Sequence, residues 1–523
     1  MIEAPDLSFA SLAPLLFVLG AACVGVLVEA FWPRDTRHPV QVTVALVGTV
    51  GALASTLLLT RDFQRSTTAG GALAVDGPGL FLQATIAGLG ALAILLFAER
   101  SLDPARSAFV VSAAVPAGSP RDRELLTVPR VQTEVYPLAS FAIGGMMLFV
   151  TANDLLIMFV ALEVLSLPLY LICGMSRRRR LLSQEAAVKY FLLGAFASAF
   201  FLYGLALVYG ATGSVRLAAI REASLAEGSD VLLVLGLALL VVGLLFKASV
   251  APFHTWTPDV YQGAPTPVTA FMAACTKVAA FGAILRLLYV SFGTAEWTWR
   301  PLVYGVAIVS MVVGAVLGLT QTDLKRMLAY SSIAHAGFLL TGVIGLGEFS
   351  EGGGGSGLAA TMFYLLTYGL TTLGAFAVLT LVRDGDGEAT HLSQWAGLAS
   401  RSPLTAAVMT LFLLALAGIP LTAGFTGKFA VFRAAIEEGA WPLALVALLA
   451  SAVAAFFYLR VIVLMYFSPV ATGADGGQGP TVGVPGLPTV LVLAITATAT
   501  LVLGILPGSV LDLAEQAARF VVR

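Results

Sequence analysis

The sequence predicts an all-α polytopic membrane protein of about fourteen transmembrane helices, with two inverted five-helix repeats that each contain a broken helix. Three observations predict it. Of 523 residues, 58% are apolar and 11% are charged, and mean hydropathy is +0.92. Soluble domains carry about 25% charged residues, so this chain has too few to cover a water-facing surface. Apolar runs of the roughly 20 residues needed to cross a bilayer core of about 30 Å recur along nearly the whole chain. Two of these runs are too long for one straight helix, and each holds a proline beside small residues.

The elements follow in order. Spans one to three lie near 12–31, 40–60 and 78–98, an N-terminal three-helix segment within 1–98. No basic flank or cleavage signature precedes the first run, so it reads as a retained span and not a signal peptide. Residues 99–133 are polar and contain Pro and Arg, which marks an extramembrane insertion. Spans four to eight lie near 135–151, 154–174, 184–210, 230–262 and 265–291, within a first unit of 134–291. Spans nine to thirteen lie near 299–319, 323–347, 357–382, 402–433 and 440–467, within a second unit of 292–467. The last unit, 468–523, holds a span near 487–507 and an amphipathic tail from 509, expected at the interface or against a partner. The glycine run 352–355 has no strand before it and reads as a flexible loop.

Continuous helices over 230–262 and 402–433 would each reach roughly 50 Å. Pro252 and Pro420 remove a backbone donor and clash with the preceding turn, so a break is expected in each. Each broken span is fourth in a run of five. Five crossings are odd, so the second run enters from the opposite side, as in an inverted repeat. Lys and Arg concentrate in one set of loops, above all in the run 177–180, which places that loop in the cytoplasm and both termini outside.

Lysine usage carries the chemistry. There are 24 arginines and five lysines; Lys189, Lys247, Lys277 and Lys428 interrupt apolar spans, and Lys325 starts the tenth. A charge near mid-bilayer costs on the order of 3 kcal/mol, so it needs a reason. Burial can lower a lysine's pKa by several units, whereas arginine stays protonated, so a site that accepts and releases a proton can use only lysine. Glu163, nine residues past Asp154, is the carboxylate well inside a span and is expected to pair with Lys247 or Lys189. A static ion pair that fixes helix packing is the alternative. His254, two residues after Pro252, and His335, mid-span in the tenth, suit proton relay but equally a plain hydrogen bond between helices. Tyr170, Tyr190, Ser331, Ser332 and Thr426 are ordinary packing residues that would also suit bridging waters.

Other chemistry is excluded on inspection. A net charge of −1 gives no reason to expect nucleic acid. Cys23, Cys173 and Cys275 lie in apolar runs without CxxC spacing, against a disulfide framework, structural zinc or an iron–sulfur cluster. Gly427-Lys428 precedes Phe429 and has Thr422 where a phosphate loop needs glycine. No HExxH or haem-ligand pattern is present, so no cofactor or metal is expected in this chain.

The stretch Phe246-Lys247-Ala248-Ser249-Val250-Ala251-Pro252-Phe253-His254-Thr255-Trp256-Thr257-Pro258-Asp259-Val260-Tyr261-Gln262-Gly263 resembles the broken seventh helix of the antiporter-like subunits of respiratory complex I, NADH-quinone oxidoreductase. Asp323-Leu324-Lys325-Arg326 through Tyr330-Ser331-Ser332-Ile333-Ala334-His335 resembles their tenth helix, and Gly418-Ile419-Pro420 through Gly427-Lys428-Phe429 their broken twelfth. Asp259 to Gly263, a lysine at 428 and the lack of a long lateral C-terminal helix resemble the subunit N branch more than its paralogues. The insertion 99–133 and the loop 350–357 depart from a minimal member and leave contacts there open.

The resemblance implies a coupling pair Glu163/Lys247, a connecting Lys277, a terminal Lys428, and Lys189 and His335 on a hydrated axis. It also implies a bacterial plasma-membrane location and partners in the membrane arm, namely antiporter-like paralogues and small hydrophobic subunits. NADH, FMN, iron–sulfur clusters and quinone would belong to partner subunits. The expected function is proton translocation, in which redox energy released elsewhere separates the Glu163/Lys247 pair and a proton moves along Lys277 and His335 toward Lys428. A cation/proton antiporter subunit of the same superfamily, or a scaffold with static lysines, are the competing readings.

Overall fold

The computed structural model describes residues 7–61, 64–103, 107–110, 112, 115–116, 118–127, 131–225, 231–345, 356–384, 387–470 and 479–522. Helices α1 (Phe9–Phe31) and α2 (Arg34–Leu59) pack on each other and lead to an antiparallel hairpin, β1 (Ser66–Thr68) and β2 (Leu73–Val75), with Ser66 opposite Val75. Helix α3 (Gly77–Phe97) starts at Asp76, whose side chain accepts from the Gly79 amide at 2.9 Å and so satisfies one orphan N–H of the first turn. After α4 (Pro120–Thr127) come α5 (Val135–Thr151), α6 (Leu155–Cys173), α7 (Arg180–Thr212), α8 (Leu217–Ser224), α9 (Val231–Lys247), α10 (Trp256–Gly263), α11 (Thr266–Phe271) and α12 (Lys277–Arg286). The second half comprises α13 (Glu296–Leu319), α14 (Leu324–Ile344) and α15 (Ser356–Leu379). Strands β3 (Val382–Asp384) and β4 (Gly387–Glu388) precede α16 (Leu398–Arg401), α17 (Pro403–Ala417), α18 (Ala423–Glu437) and α19 (Trp441–Phe467); β5 (Thr481–Val482) then joins them in a small sheet of order β4-β3-β5, and α20 (Leu487–Ile505) and α21 (Gly508–Ala517) complete the described helices and strands.

Eleven helices among the described residues are long and apolar enough to cross a membrane. Three shorter apolar helices, Val135–Thr151, Val231–Lys247 and Pro403–Ala417, fall where the sequence places spans four, seven and twelve. Helices α14 and α15 are buried on nearly every face, the position of core helices, and α14 carries Lys325, Ser331, Ser332 and His335 into that interior. Helices α1, α2 and α20 bury one stripe and expose leucine and valine on the other, as lipid-facing helices do.

Both expected breaks are present. Helix α9 stops at Lys247 and α10 starts at Trp256; between them Ser249 has φ +62°. Helix α17 stops at Ala417 and α18 starts at Ala423; between them Gly418 has φ +84° and Leu421 φ +69°. A left-handed residue costs an L-amino acid about 1–2 kcal/mol and cannot continue a right-handed helix. Span eight holds a feature without a sequence signal: five-residue π segments, Met272–Thr276 and Leu287–Ser291, flank α12 on both sides.

The insertion is anchored where described. The Val110 amide donates to the Met175 carbonyl at 2.8 Å and the Arg177 amide to the Ala108 carbonyl at 2.9 Å, so it lies against the four-arginine loop. Arg178 and Arg383 both reach Asp103, at 3.1 and 2.8 Å, and buried Arg180 pairs with Asp122. The glycine run 352–355 lies outside the described residues.

Burial pushes the Asp122 carboxyl up, but the Gly118 amide and the Arg180 guanidinium outweigh it and hold the group below the usual carboxylate range. A depressed folded value means that the pair stabilises the anchored insertion above the ordinary carboxylate pKa, about 4. That contribution is lost as pH falls through the depressed value. Limited proteolysis of membrane vesicles open on the four-arginine face should therefore cut 99–133 faster on acidification. Asp122→Asn should be cut faster already at neutral pH and gain less from acid.

Candidate functional site

Lys247 is the last residue of α9, and its Nζ donates to Ser166 Oγ at 2.8 Å and Tyr190 Oη at 3.0 Å. The rings of Tyr190 and Tyr170 lie 5.2 and 5.8 Å away, within cation–π range. Trp256, the first residue after the break, stacks on Tyr190 at 4.6 Å and donates from Nε1 to the Phe246 carbonyl at 3.0 Å. The Phe246 carbonyl also accepts from the Ser249 amide at 3.0 Å, so the tryptophan is its second donor and ties the far side of the break back to α9 while walling the lysine's aromatic cage.

The expected Glu163/Lys247 ion pair is not formed. Glu163 is half-buried on α6, and its Oε1 is buried without a hydrogen-bond partner. One turn further along, Ser166 holds the lysine, with the glutamate near enough for its charge to act on it. A hydroxyl reaches an ammonium without dehydrating a second full charge, which is why serine and tyrosine replace the carboxylate here.

Lys189 also departs from expectation. Its side chain is 42% exposed and pairs with Asp259 and Glu185, both at 2.6 Å. Asp259 accepts in turn from Arg326 at 2.6 Å, tying α7, α10 and α14 together near the chain's surface. Nothing among the described residues joins Lys189 to Glu163 or Lys247.

Lys277 and Lys428 are buried. Lys277 Nζ donates to the Ser332 carbonyl at 2.5 Å and lies 5.5 Å from the Tyr368 ring. Lys428 Nζ donates to the Leu416 and Ala417 carbonyls at 2.9 and 3.0 Å and to Ser451 Oγ at 2.8 Å, with the Phe338 ring 4.9 Å away. Those two carbonyls end α17, where they lack intrahelical donors and carry the negative end of the dipole. Pro420 and Gly418 create the acceptors that Lys428 uses.

His335 lies between the two lysines, within electrostatic reach of both. Its Nδ1 is 2.7 Å from Tyr364 Oη, its Nε2 is 3.4 Å from Tyr458 Oη, and Tyr458 makes a short bond to Ser331 Oγ. His254 stays apart: it is half-buried in the first break, its Nδ1 has no partner, and its ring is 6.5 Å from Tyr330. Direct bonds among the described residues do not run unbroken from Lys247 to Lys428.

Sequence reasoning missed Ser166, Ser451, Tyr364, Tyr368 and Tyr458 because a hydroxyl among many has no periodicity to mark it. Lys325, excluded from the site, is buried as deeply as the others and donates to the Ala264 carbonyl at 2.7 Å.

Broken helices that end at buried lysines define an ion-translocating membrane protein of the antiporter type. The family model described as NADH:quinone oxidoreductase/Mrp antiporter, TM matches residues 152–454. A relative from Saccharopolyspora erythraea, NADH-quinone oxidoreductase subunit N, is 60% identical over 519 residues, 98% of each chain. Its namesake from Mycobacterium bovis is 50% identical over 539 residues, 99% of each chain. A chain of respiratory complex I from Thermus thermophilus with bound aureothin superposes with a TM-score of 0.75 at 35% identity, over 95% of this chain and 98% of that one. A chain of the Mrp complex from a Dietzia species shares the fold, with a TM-score of 0.80 at 23% identity over 98% and 97%. The chain belongs to the NADH-quinone oxidoreductase subunit N family.

Gly418 offers a direct test of the second break. A Cβ there would sit 2.9 Å from Lys428 Cδ on a backbone at φ +84°. Gly418→Ala should cost about 1–2 kcal/mol from the backbone alone, seen as a lower melting temperature of the purified complex, while Gly20→Ala, whose Cβ meets nothing within 4 Å, should leave it unchanged.

Proposed function

We propose that this chain is a proton-translocating membrane subunit of NADH:quinone oxidoreductase. One observation carries the reading: Lys247, Lys277 and Lys428 are all buried, and each is held by hydroxyls or carbonyls with no carboxylate bonded to it among the described residues. A lysine in an apolar interior without a bonded counter-charge keeps its proton only as long as its acceptors stay in place. Arginine would hold the charge regardless. A scaffold of static ion pairs needs carboxylates at these positions.

In this reading Glu163 acts on Lys247 across Ser166, so a shift of α6 changes the charge felt by the lysine without breaking a direct bond. Lys277, His335 and Lys428 continue the path, with Tyr364, Tyr368 and Tyr458 around the histidine and water closing the gaps between bonded groups. Lys189, Asp259 and Arg326 hold the two halves together at the edge, and His254 has no assigned step. Residues 134–291 and 292–467 are the two inverted repeats, flanked by the units 1–98, 99–133 and 468–523.

The chain is a multi-pass membrane protein whose family is part of an oxidoreductase complex. Its own part involves no redox step: NADH, FMN, iron–sulfur clusters and quinone react in partner subunits, which include antiporter-like paralogues and small hydrophobic chains. The membrane is the bacterial plasma membrane, with the loop 177–180 cytoplasmic and the termini outside. The docking of the insertion on that loop supports their sharing one side.

NADH-driven proton uptake into vesicles tests the function. Lys247→Ala should abolish most of it while the complex still assembles, and Lys247→Arg should fail to restore it, because arginine keeps its charge but does not release its proton. Full restoration by arginine would sink the titratable-lysine mechanism. Cation-dependent proton exchange without NADH oxidation would assign the chain to the antiporters instead.

A further inference from the structure

The C-terminal tail packs on its own chain, with α21 against α3 and α15, and it is pinned there. The Val521 amide donates to Asp76 Oδ2 at 3.2 Å, and the Phe520 ring lies 5.0 Å from Arg286 Cζ. Arg286 and Asp76 are themselves fully buried and paired, Nη1 to Oδ2 at 2.8 Å and Nη2 to Oδ1 at 2.7 Å. A Cβ on Gly77 would collide with the Ala517 carbonyl oxygen, so the end of α21 meets the start of α3 backbone to backbone. Beside that contact lies a cavity of about 330 Å³.

Four helices wall it: α21 through Val510 and Leu513, α3 through Leu80 and Phe81, α2 through Leu57 and α15 through Leu366. Its lining on α3 runs from Gly77 to Thr85, eight residues apart and so roughly 12 Å. The far end of α3 leads into the insertion that lies on the four-arginine loop, so the cavity belongs to the opposite leaflet. Leu57 and Leu513 are 52% and 48% exposed, which leaves the cavity open outward past them. The polar side chains in the lining do not wet it. Thr56, Thr60 and Thr85 donate their hydroxyls to the Ala52, Leu57 and Phe81 carbonyls at 2.8, 2.7 and 2.8 Å. A trapped water needs roughly two to four polar partners and meets no hydroxyl donor here. An empty space would forfeit the dispersion contacts of its walls.

We propose that this cavity binds one acyl chain of a phospholipid whose phosphate meets Arg61. Its volume falls at the small end of ligand pockets, about 300–1,000 Å³, and its lining has their character, apolar walls with a few polar groups. The hydrocarbon region of a bilayer supplies no water, so the filler at hand is a lipid tail. The head is chosen by charge. Thr60 and Gln516 line the cavity as exposed polar residues, and Arg61, the next residue after Thr60, is exposed where α2 ends. A guanidinium there favours a phosphate over the uncharged head of a quinone or a glyceride. The bound chain would fill the space between α2 and α21 and so fasten the tail helix to the bundle. The site is independent of proton translocation, because any chain that spans a membrane with this cavity would hold the same lipid.

The test is photolabelling of the intact complex in detergent micelles with phosphatidylglycerol that carries a diazirine near the end of one acyl chain, read by mass spectrometry of the labelled peptides. Label should gather on residues 80–85 and 510–517 severalfold above the lipid-facing residues of α1. Excess unlabelled phosphatidylglycerol should displace it, and the same excess of menaquinone should not. Ala84→Phe, which fills the cavity from α3, and Leu57→Trp, which narrows its opening, should each bring the label down to the α1 level. Leu57 is half exposed, so its variant keeps the test decisive where Ala84→Phe does not assemble. Arg61→Gln should weaken labelling by phosphatidylglycerol severalfold and leave labelling by a diacylglycerol with the same tail unchanged. Label no denser than on α1, label untouched by the assembled variants, displacement by menaquinone as readily as by phospholipid, or indifference of the phosphatidylglycerol label to Arg61→Gln would each overturn the proposal.

Discussion

An ammonium group in an apolar bundle must find acceptors, and in this chain the helices break in order to supply them. Lys428 takes the carbonyls that α17 leaves unpaired at its end, and Lys247 stands at the last turn of α9, where Ser166 and Tyr190 reach it. Much else follows from that need. Gly418 must lack a side chain because Lys428 passes over it, and Trp256 bridges the first break by donating to the Phe246 carbonyl and stacking on Tyr190. The aromatic rings beside each lysine add an electrostatic surface that costs no second dehydrated charge.

The two kinds of buried cation are used in opposite ways. Arg286 is held by both oxygens of Asp76 and by a backbone carbonyl, a bidentate fit to its planar group. Lys247, Lys277 and Lys428 are held by neutral hydroxyls and carbonyls, and in the proposed mechanism their protons are the movable part. One helix, α12, begins with a lysine held by a backbone carbonyl and ends with an arginine paired to a carboxylate, with a π segment on either side. The Val521 amide and the Phe520 ring lie against this pair.

Much of this was legible in the residues. Run length and hydropathy located the helices, and proline beside small residues in overlong runs located both breaks, because a missing donor is a property of the residue itself. The retention of lysine in apolar runs singled out Lys247, Lys277 and Lys428, since a charge in oil is costly wherever the helix points. The errors concern direction. Glu163 was expected to meet a lysine, yet its Oε1 finds no hydrogen-bond partner while Ser166, one turn away, makes the contact. Lys189 looked buried by its neighbours in sequence and instead faces the edge, paired with Asp259 from another helix. Arg286 passed as ordinary composition because its partner is 210 residues away.

Composition, run length and proline placement determined by themselves that the chain spans a membrane with two broken helices and carries titratable side chains inside it. These are local costs, of exposing apolar surface to water or placing charge in oil, and they are incurred whatever the neighbours. Tertiary structure alone decided which hydroxyl holds which lysine, that Asp76 meets Arg286, that the insertion lies on the arginine loop, and that the tail folds back over the pair. Each of those is a choice among partners distant in the chain, set by where helices cross, and no local pattern encodes it.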